Sequence, residues 1–184
     1  GIVARLTSQH IGLLREDVCN AEFLSTLVYQ VLMPKNCEHC KVSALSALPV
    51  PTLVEYEKYF GLDVAKLFCA SDAGCSHCQV PGLEVATGGH AGVKGVKVCA
   101  EVLALDNTML SLLHHNNDLE ARNHWLGLRQ VGFDHEDMLG KEAWGHALYD
   151  ISQGRLDPYH FERTFGAPAV IARTRQLQPM VGAA

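Results

Sequence analysis

The chain has 184 residues, 48% of them hydrophobic and 19% charged, with a formal net charge of −5. That is enough apolar material for a packed core and too little charge for a disordered chain. The acidic balance argues against a polyelectrolyte grip on nucleic acid. The longest apolar stretch, Phe23 to Met33, falls well short of the roughly 20 residues of a bilayer-spanning helix.

No basic segment followed by a cleavable apolar one is present, so no secretory signal is expected. The opening Gly-Ile-Val suggests a chain that has lost its initiator or forms the end of something longer. From Gly1 to about Gln9, Ile2, Val3 and Leu6 fall on one side of a short helix. Arg15-Glu16-Asp17 then opens a second helix, expected over 17–33, with its acidic residues where the helix dipole favours them. Val18, Phe23, Leu24, Leu27, Val28, Val31 and Leu32 give it a broad apolar face, and Pro34 ends it.

Seven cysteines lie at 19, 37, 40, 69, 75, 78 and 99. An odd number without a signal argues for a reducing compartment and against a disulfide scaffold. Four of them form two alike knuckles, Cys37-Glu38-His39-Cys40 and Cys75-Ser76-His77-Cys78, separated by positions 41 to 74. Two residues between cysteines let one tight turn aim both sulfurs at a single ion. Two such turns fill a tetrahedral shell, so Cys37, Cys40, Cys75 and Cys78 predict a closed, structural zinc site with no open position for chemistry. A redox pair, an iron site or no metal at all are the competing readings. His39 and His77 are expected to stay outside the ligand shell, and Cys19, Cys69 and Cys99 to act as small buried hydrophobes.

Between the knuckles, Thr52 with Glu55 three residues on has capping-box spacing ahead of a helix over 53–60, with Gly61 to close it. A further turn is expected over Asp63 to Cys69. An insert this small buries too little to fold alone, so metal binding is expected to carry its folding. Pro81-Gly82 and the glycines from Gly88 to Gly95 predict turns. Lys94 is followed by Gly95 and not by the Ser/Thr of a phosphate loop, and the glycines there suit turn geometry. Val96 to Val102 reads as a strand.

Beyond Asp106 the expectation is helical. Asp106 caps a helix to about His115, and Asp118 starts another carrying Trp125. A longer one spans 135–152 and stops at Gly154, and a last one runs from Asp157-Pro158 to Gly166. The tail from Arg173 lacks periodicity. His135-Glu136 lacks the second histidine of a zinc-protease signature, no Gly-x-Ser-x-Gly elbow occurs, and His114, His115 and Asp118 read as solvated surface, so no catalytic residue is assigned.

The order of these features resembles the C-terminal part of the type II/type IV secretion and type IV pilus assembly ATPases, in their tetracysteine branch. The residues that carry the resemblance are Tyr29-Gln30-Val31-Leu32 before Cys37, the second knuckle, and Val93-Lys94-Gly95-Val96. Val98-Cys99-Ala100-Glu101-Val102-Leu103, Asp106 to Leu110, and Ala147 to Gly154 with Asp157-Pro158 complete it. It covers roughly residues 1 to 166. The texture within the family suggests a conjugative plasmid pilus or a type IVb-like system.

The resemblance implies an α+β fold, mostly helical: a remnant of a RecA-like core with an inserted tetracysteine zinc module and a C-terminal helical subdomain. It divides the chain into core helices (1–36), the zinc module (37–80), a Gly-rich turn and strand (81–104), a helical subdomain (105–168) and a flexible tail (169–184). It also implies a cytoplasmic hexamer, peripheral to the inner membrane, whose partners are other ring subunits and an inner-membrane platform protein; nucleic acid is not expected.

Two departures matter. Val31 and Val96 stand where relatives carry arginines. Walker A, Walker B, the acidic boxes and the histidine box would all precede Gly1, so ATP and magnesium belong to the full-length motor and this chain alone is expected to be inactive. The reading from another class is a stand-alone zinc-dependent interaction module or adaptor without enzymatic activity.

Overall fold

A turn at Asn20 separates the early helices from the first strand. The computed structural model describes residues 2–78 and 91–177; the Pro81-Gly82 and Gly88-Gly89 turns lie outside them. Helix α1 spans Ile2–Leu6 and helix α2 only Arg15–Val18. The Asn20 side chain then accepts from the Glu22 backbone N–H at 2.9 Å, while the Asn20 carbonyl takes the N–H groups of Phe23 and Leu24. That local competitor to the helix ends the expected second helix after one turn.

Strand β1, Thr26–Asn36, comes next. Its β-branched and aromatic residues (Thr26, Val28, Tyr29, Val31) suit a strand. The expected helix over 17–33 is therefore corrected. A run apolar at nearly every position satisfies either period, and here Met33 points to the core while Val28 and Leu32 stand exposed. β1 pairs with the long later strand β4, Val93–Ala104. The fold is α+β, as expected.

The chain divides into two compact units. The first comprises Gly1–Tyr29, Ala100–Gln130 and Met138–Glu142. It holds helices α5, Asn107–His114, and α6, Asp118–Gly127. Asp106 caps α5 as expected, its carboxylate accepting from the Met109 N–H at 2.8 Å, and the other oxygen meets His124 Nε2 of α6 at 2.9 Å. The Arg15 guanidinium donates to the Leu113 carbonyl. The core is small: Val3, Val18, Leu113 and Ala121, with Leu6, Cys19, Leu24, Leu105 and Leu112 packed around it.

The second unit comprises Gln30–Cys99, Val131–Asp137 and Ala143–Ala184. Short strands β2, Val42–Ser43, and β3, Phe68–Cys69, pair antiparallel. Between them lie helix α3, Ala44–Ala47, helix α4, Val50–Phe60, and a 3-10 turn at Val64–Lys66. Thr52 lies within α4 and does not cap it; Pro49 occupies the cap position without a side-chain bond. Glu55, free of a capping box, accepts from the Ala169 N–H at 3.3 Å. Gly61 closes α4 in the left-handed conformation, as the sequence suggests.

Helix α7 covers Ala143–Ser152, shorter than the expected 135–152. Gly140, at a φ of 68°, interrupts the pattern, and the Asp137 N–H turns back onto His135 Nδ1. Helix α8, Pro158–Phe165, opens on Asp157, whose carboxylate accepts from the Tyr159 and Ala70 N–H groups. Helix α9, Pro168–Arg175, forms where a flexible, aperiodic tail was expected to begin, and it buries Ile171 and Ala172.

The insert between the knuckles does not stand alone. Its Tyr56 and Phe60 share one core with Phe133, Trp144, Ile151, Phe161 and Ile171. Phe60 meets Phe133 edge-on at 5.8 Å and Phe161 at 6.3 Å, and the buried Tyr56 hydroxyl donates to the Pro158 carbonyl at 3.3 Å. The insert thus packs into the core of the second unit and is not an isolated module.

Candidate metal centre

The site begins at the end of β1, whose last residues are held by the turn after α7. Lys35 bridges Leu156, the Asn36 N–H donates to the Arg155 carbonyl at 2.8 Å, and the Asn36 side-chain amide donates to the Phe68 and Gly154 carbonyls at 3.0 and 3.4 Å. The chain then turns at the first knuckle, with the Cys40 and Lys41 N–H groups both on the Cys37 carbonyl. Pairing of Val42 with Cys69 and of Ser43 with Phe68 carries the second knuckle to the first.

The four sulfurs converge. Cys37 Sγ lies 3.8 Å from Cys75 Sγ, Cys40 Sγ 3.8 Å from Cys78 Sγ, and Cys75 Sγ 3.9 Å from Cys78 Sγ. All four lie within 4.8 Å of one another, and none is in a disulfide. A tetrahedron with zinc–sulfur bonds of about 2.3 Å has edges of about 3.8 Å, whereas a disulfide would bring sulfurs to about 2.05 Å. The donor set and its spacing fit a tetrahedral metal ion. Sequence spacing placed these four residues together, and among the described residues they are the cluster with this geometry.

Backbone groups face the thiols. The Cys75 N–H donates to Cys78 Sγ at 3.2 Å. Burial opposes the Cys78 thiolate, yet bonds from the backbone of Cys75 and Gly92 and from the neighbouring thiols bring it down to about 7. Cys40 goes the other way, pushed up by burial and by the surrounding cysteines.

His39 and His77 occupy the same place in each knuckle, and the two turns bring them face to face. The exposed rings stack at 3.7 Å with 17° between planes. They sit outside the sulfur cluster, as the knuckle geometry predicts. Lys41 tethers the first knuckle outward, its Nζ donating to Glu38 at 2.6 Å and to the Gly154 carbonyl at 3.3 Å and lying 4.9 Å from the centre of the Phe68 ring. Lys41 draws the Glu38 carboxyl below the usual carboxylate range.

Cys69 and Cys99 are buried, and burial first, then the carboxylates of Asp157 and Asp150 respectively, pushes each thiol up to about 12. Both behave as the small hydrophobes the sequence suggests. Cys19 is only half-buried.

Three contributors escaped sequence reading. Gly92 accepts from the Cys37 N–H at 2.8 Å and has a φ of +77°. A Cβ there would lie 2.3 Å from the Ser71 nitrogen. Asn36 and Lys41 act through carbonyls distant in sequence. A glycine between turn-forming residues was the visible signal for Gly92; nothing local marks the other two.

Neither a scan against protein-family models nor a search of curated proteins finds a match to this chain. Among the described residues, no helix is long and apolar enough to cross a membrane.

Proposed function

We propose that the chain is the zinc-bearing C-terminal segment of a hexameric ATPase that powers pilus assembly or protein secretion. In this reading the tetracysteine centre is structural and the nucleotide machinery belongs to the rest of the motor. The observation that carries it is the convergence of Cys37, Cys40, Cys75 and Cys78 between the end of β1 and the start of β4, with a helical insert between the knuckles. That is the order of parts on which the resemblance rests.

The ion would be zinc, held by the four thiolates, and it would cross-link the two knuckles. Four sulfurs fill the shell, so the site has no position at which water or substrate could be activated. Val31, half-buried against the core, and Val96, exposed, offer no charge to a phosphate at the positions where related motors carry arginines. The segment's part in the motor is mechanical: a stiff module that moves with its ring and presses on an inner-membrane platform protein.

Two measurements test this. Metal analysis of purified protein is expected to give one zinc per chain, and cobalt substitution the spectrum of a sulfur-only tetrahedron. A nitrogen- or oxygen-containing shell overturns the structural assignment. The coding frame before Gly1 tests the motor. An in-frame phosphate-loop motif supports it, and a start codon immediately before Gly1 makes the chain an adaptor instead.

A further inference from the structure

The sheet of β1 and β4 has two strands, so each strand keeps one open edge. On β1 that edge can be located residue by residue. At its two ends the Ser25 carbonyl accepts from the Leu105 N–H at 2.9 Å and the Cys37 N–H donates to the Gly92 carbonyl at 2.8 Å, both on the β4 side. The span from Gly92 to Leu105 is one residue longer than that from Ser25 to Cys37, so the surplus residue bulges from β4 and the alternation along β1 is unbroken. Main-chain groups of successive strand residues point to opposite edges. The odd-numbered residues of β1 therefore face β4, and Thr26, Val28, Gln30 and Leu32 turn their N–H and C=O groups the other way.

Asn36 follows the same alternation: its N–H leaves the β1–β4 pair and meets the Arg155 carbonyl. The turn after α7 closes the edge there, and Pro34 has no N–H to give. Between Thr26 and Leu32, no backbone bond outside the pairing with β4 occurs among the described residues.

The open edges of the two strands differ in protection. Proteins guard an exposed edge with charge, lysine above all, and a long uncharged one invites another strand. β4 carries Lys94, Lys97 and Glu101. β1 has no charged residue from Thr26 to Pro34, and its Val28, Tyr29 and Leu32 are 60%, 55% and 61% exposed.

The open stretch also matches itself. Laid antiparallel on a second copy with Tyr29 opposite Tyr29, it sets Thr26 opposite Leu32 and Val28 opposite Gln30. Every open N–H then meets an open carbonyl, Leu27 falls opposite Val31, and no like charges are opposed. Other registers do worse. An axis at Gln30 sets Thr26 against Pro34, and one at Val28 sets Leu32 against Leu24, whose N–H is already on the Asn20 carbonyl.

We propose that the edge of β1 from Thr26 to Leu32 is the surface through which two copies of this chain join, antiparallel about a two-fold axis at Tyr29, into one four-stranded sheet. The contact uses the same patch on both copies and so closes at two. It is short, so the pair forms and parts with concentration.

The test is sedimentation equilibrium of the full chain over a rising concentration series, with amide hydrogen exchange read by NMR at both ends of it. The mass is expected to climb from one chain toward two and stop there. Over the same range the amides of Thr26, Val28, Gln30 and Leu32 should exchange several-fold more slowly, and those of Leu27, Tyr29 and Val31 should change less. Val28→Lys with Gln30→Lys sets lysine opposite lysine twice and is expected to weaken association about tenfold or more. Val28→Lys with Gln30→Glu sets lysine opposite glutamate and should associate at least as well as the native chain.

A chain that stays monomeric at every concentration overturns the proposal and leaves the edge to a strand of another protein. So does a mass that passes beyond two chains, protection gained only outside residues 26–32, or equal association of the two double variants. Should a variant fail to fold, the alternating protection on the native chain decides alone. None of these results bears on the zinc analysis or on the coding frame before Gly1, so this pairing and the motor reading stand or fall separately.

Discussion

The two units solve the problem of stability differently. The second is packed around aromatic rings: Phe60 meets Tyr56, Phe133, Trp144 and Phe161, and aliphatic residues of α7 and α9 close the remaining space. The first has a small aliphatic cluster with Trp125 buried apart from it, a side-chain cap from Asp106 on α5 alone, and a cleft of about 170 Å³. The four-cysteine cluster sits in the unit with the larger apolar core. The difference teaches that a tetracysteine cluster can lie at the edge of an extensive apolar core, so that cysteine spacing alone does not define a free-standing module.

The contrast can be broken most severely at Phe60. It is 1% exposed and meets four other rings, those of Tyr56, Phe133, Trp144 and Phe161. Phe60→Ala is expected to cost about 3–5 kcal/mol in denaturant unfolding. A loss under about 1 kcal/mol would show that the aromatic cluster is not the source of the second unit's stability.

Gly92→Ala sharpens the relation between core and centre. Its Cβ would collide with the Ser71 backbone at a φ that side chains avoid. The expected result is a loss of about 1–3 kcal/mol together with a clear drop in bound metal. Retention of full metal content would separate the glycine from the site. Chelation of wild-type protein makes the same point without mutation. Far-UV circular dichroism should stay nearly constant while hydrogen exchange speeds up over residues 37–41 and 71–78. Collapse of the helical signal would restore metal as the agent of folding.

Helix caps give smaller effects. Asp157→Ala removes acceptors for both Tyr159 and Ala70 and is expected to cost about 1–2 kcal/mol by thermal unfolding. Asp106 tests the first unit. The Met109 N–H, and then His124, hold its carboxyl below the usual range. The stability it contributes is present above the carboxylate range of the unfolded chain and is lost as pH falls through its own lowered value. Asp106→Asn keeps a competent cap, so only a few tenths of a kcal/mol should be lost at neutral pH, with a shallower fall in acid. An unchanged acid slope would remove Asp106 from the account.

Much of this architecture could be read locally. Asp106, Asp157-Pro158 and Gly61 mark helix ends through bonds made within a few residues, and the knuckles specify their own turns. The failures have a shared cause. Between Phe23 and Met33 every period fits, and only the Asn20 turn and a strand partner many residues away decide for β1. The α9 helix buries Pro168, Ile171 and Ala172, an i, i+3, i+4 set confined to its first half, so the helical spacing is present but short. The four-cysteine cluster was legible because cysteine spacing is local, while Asn36, Lys41 and Gly92 act on carbonyls or amides brought near only by folding.

Asn36 carries a consequence of its own. Its one amide nitrogen faces two carbonyl oxygens, those of Phe68 and Gly154, in a place 1% exposed. Aspartate is nearly the same shape but would present oxygen to oxygen at both, with a charge that burial leaves uncompensated. A change of one atom in the side chain would therefore turn this latch into a wedge. The residue next to the first cysteine of the cluster is thus expected to be intolerant even of its closest chemical analogue.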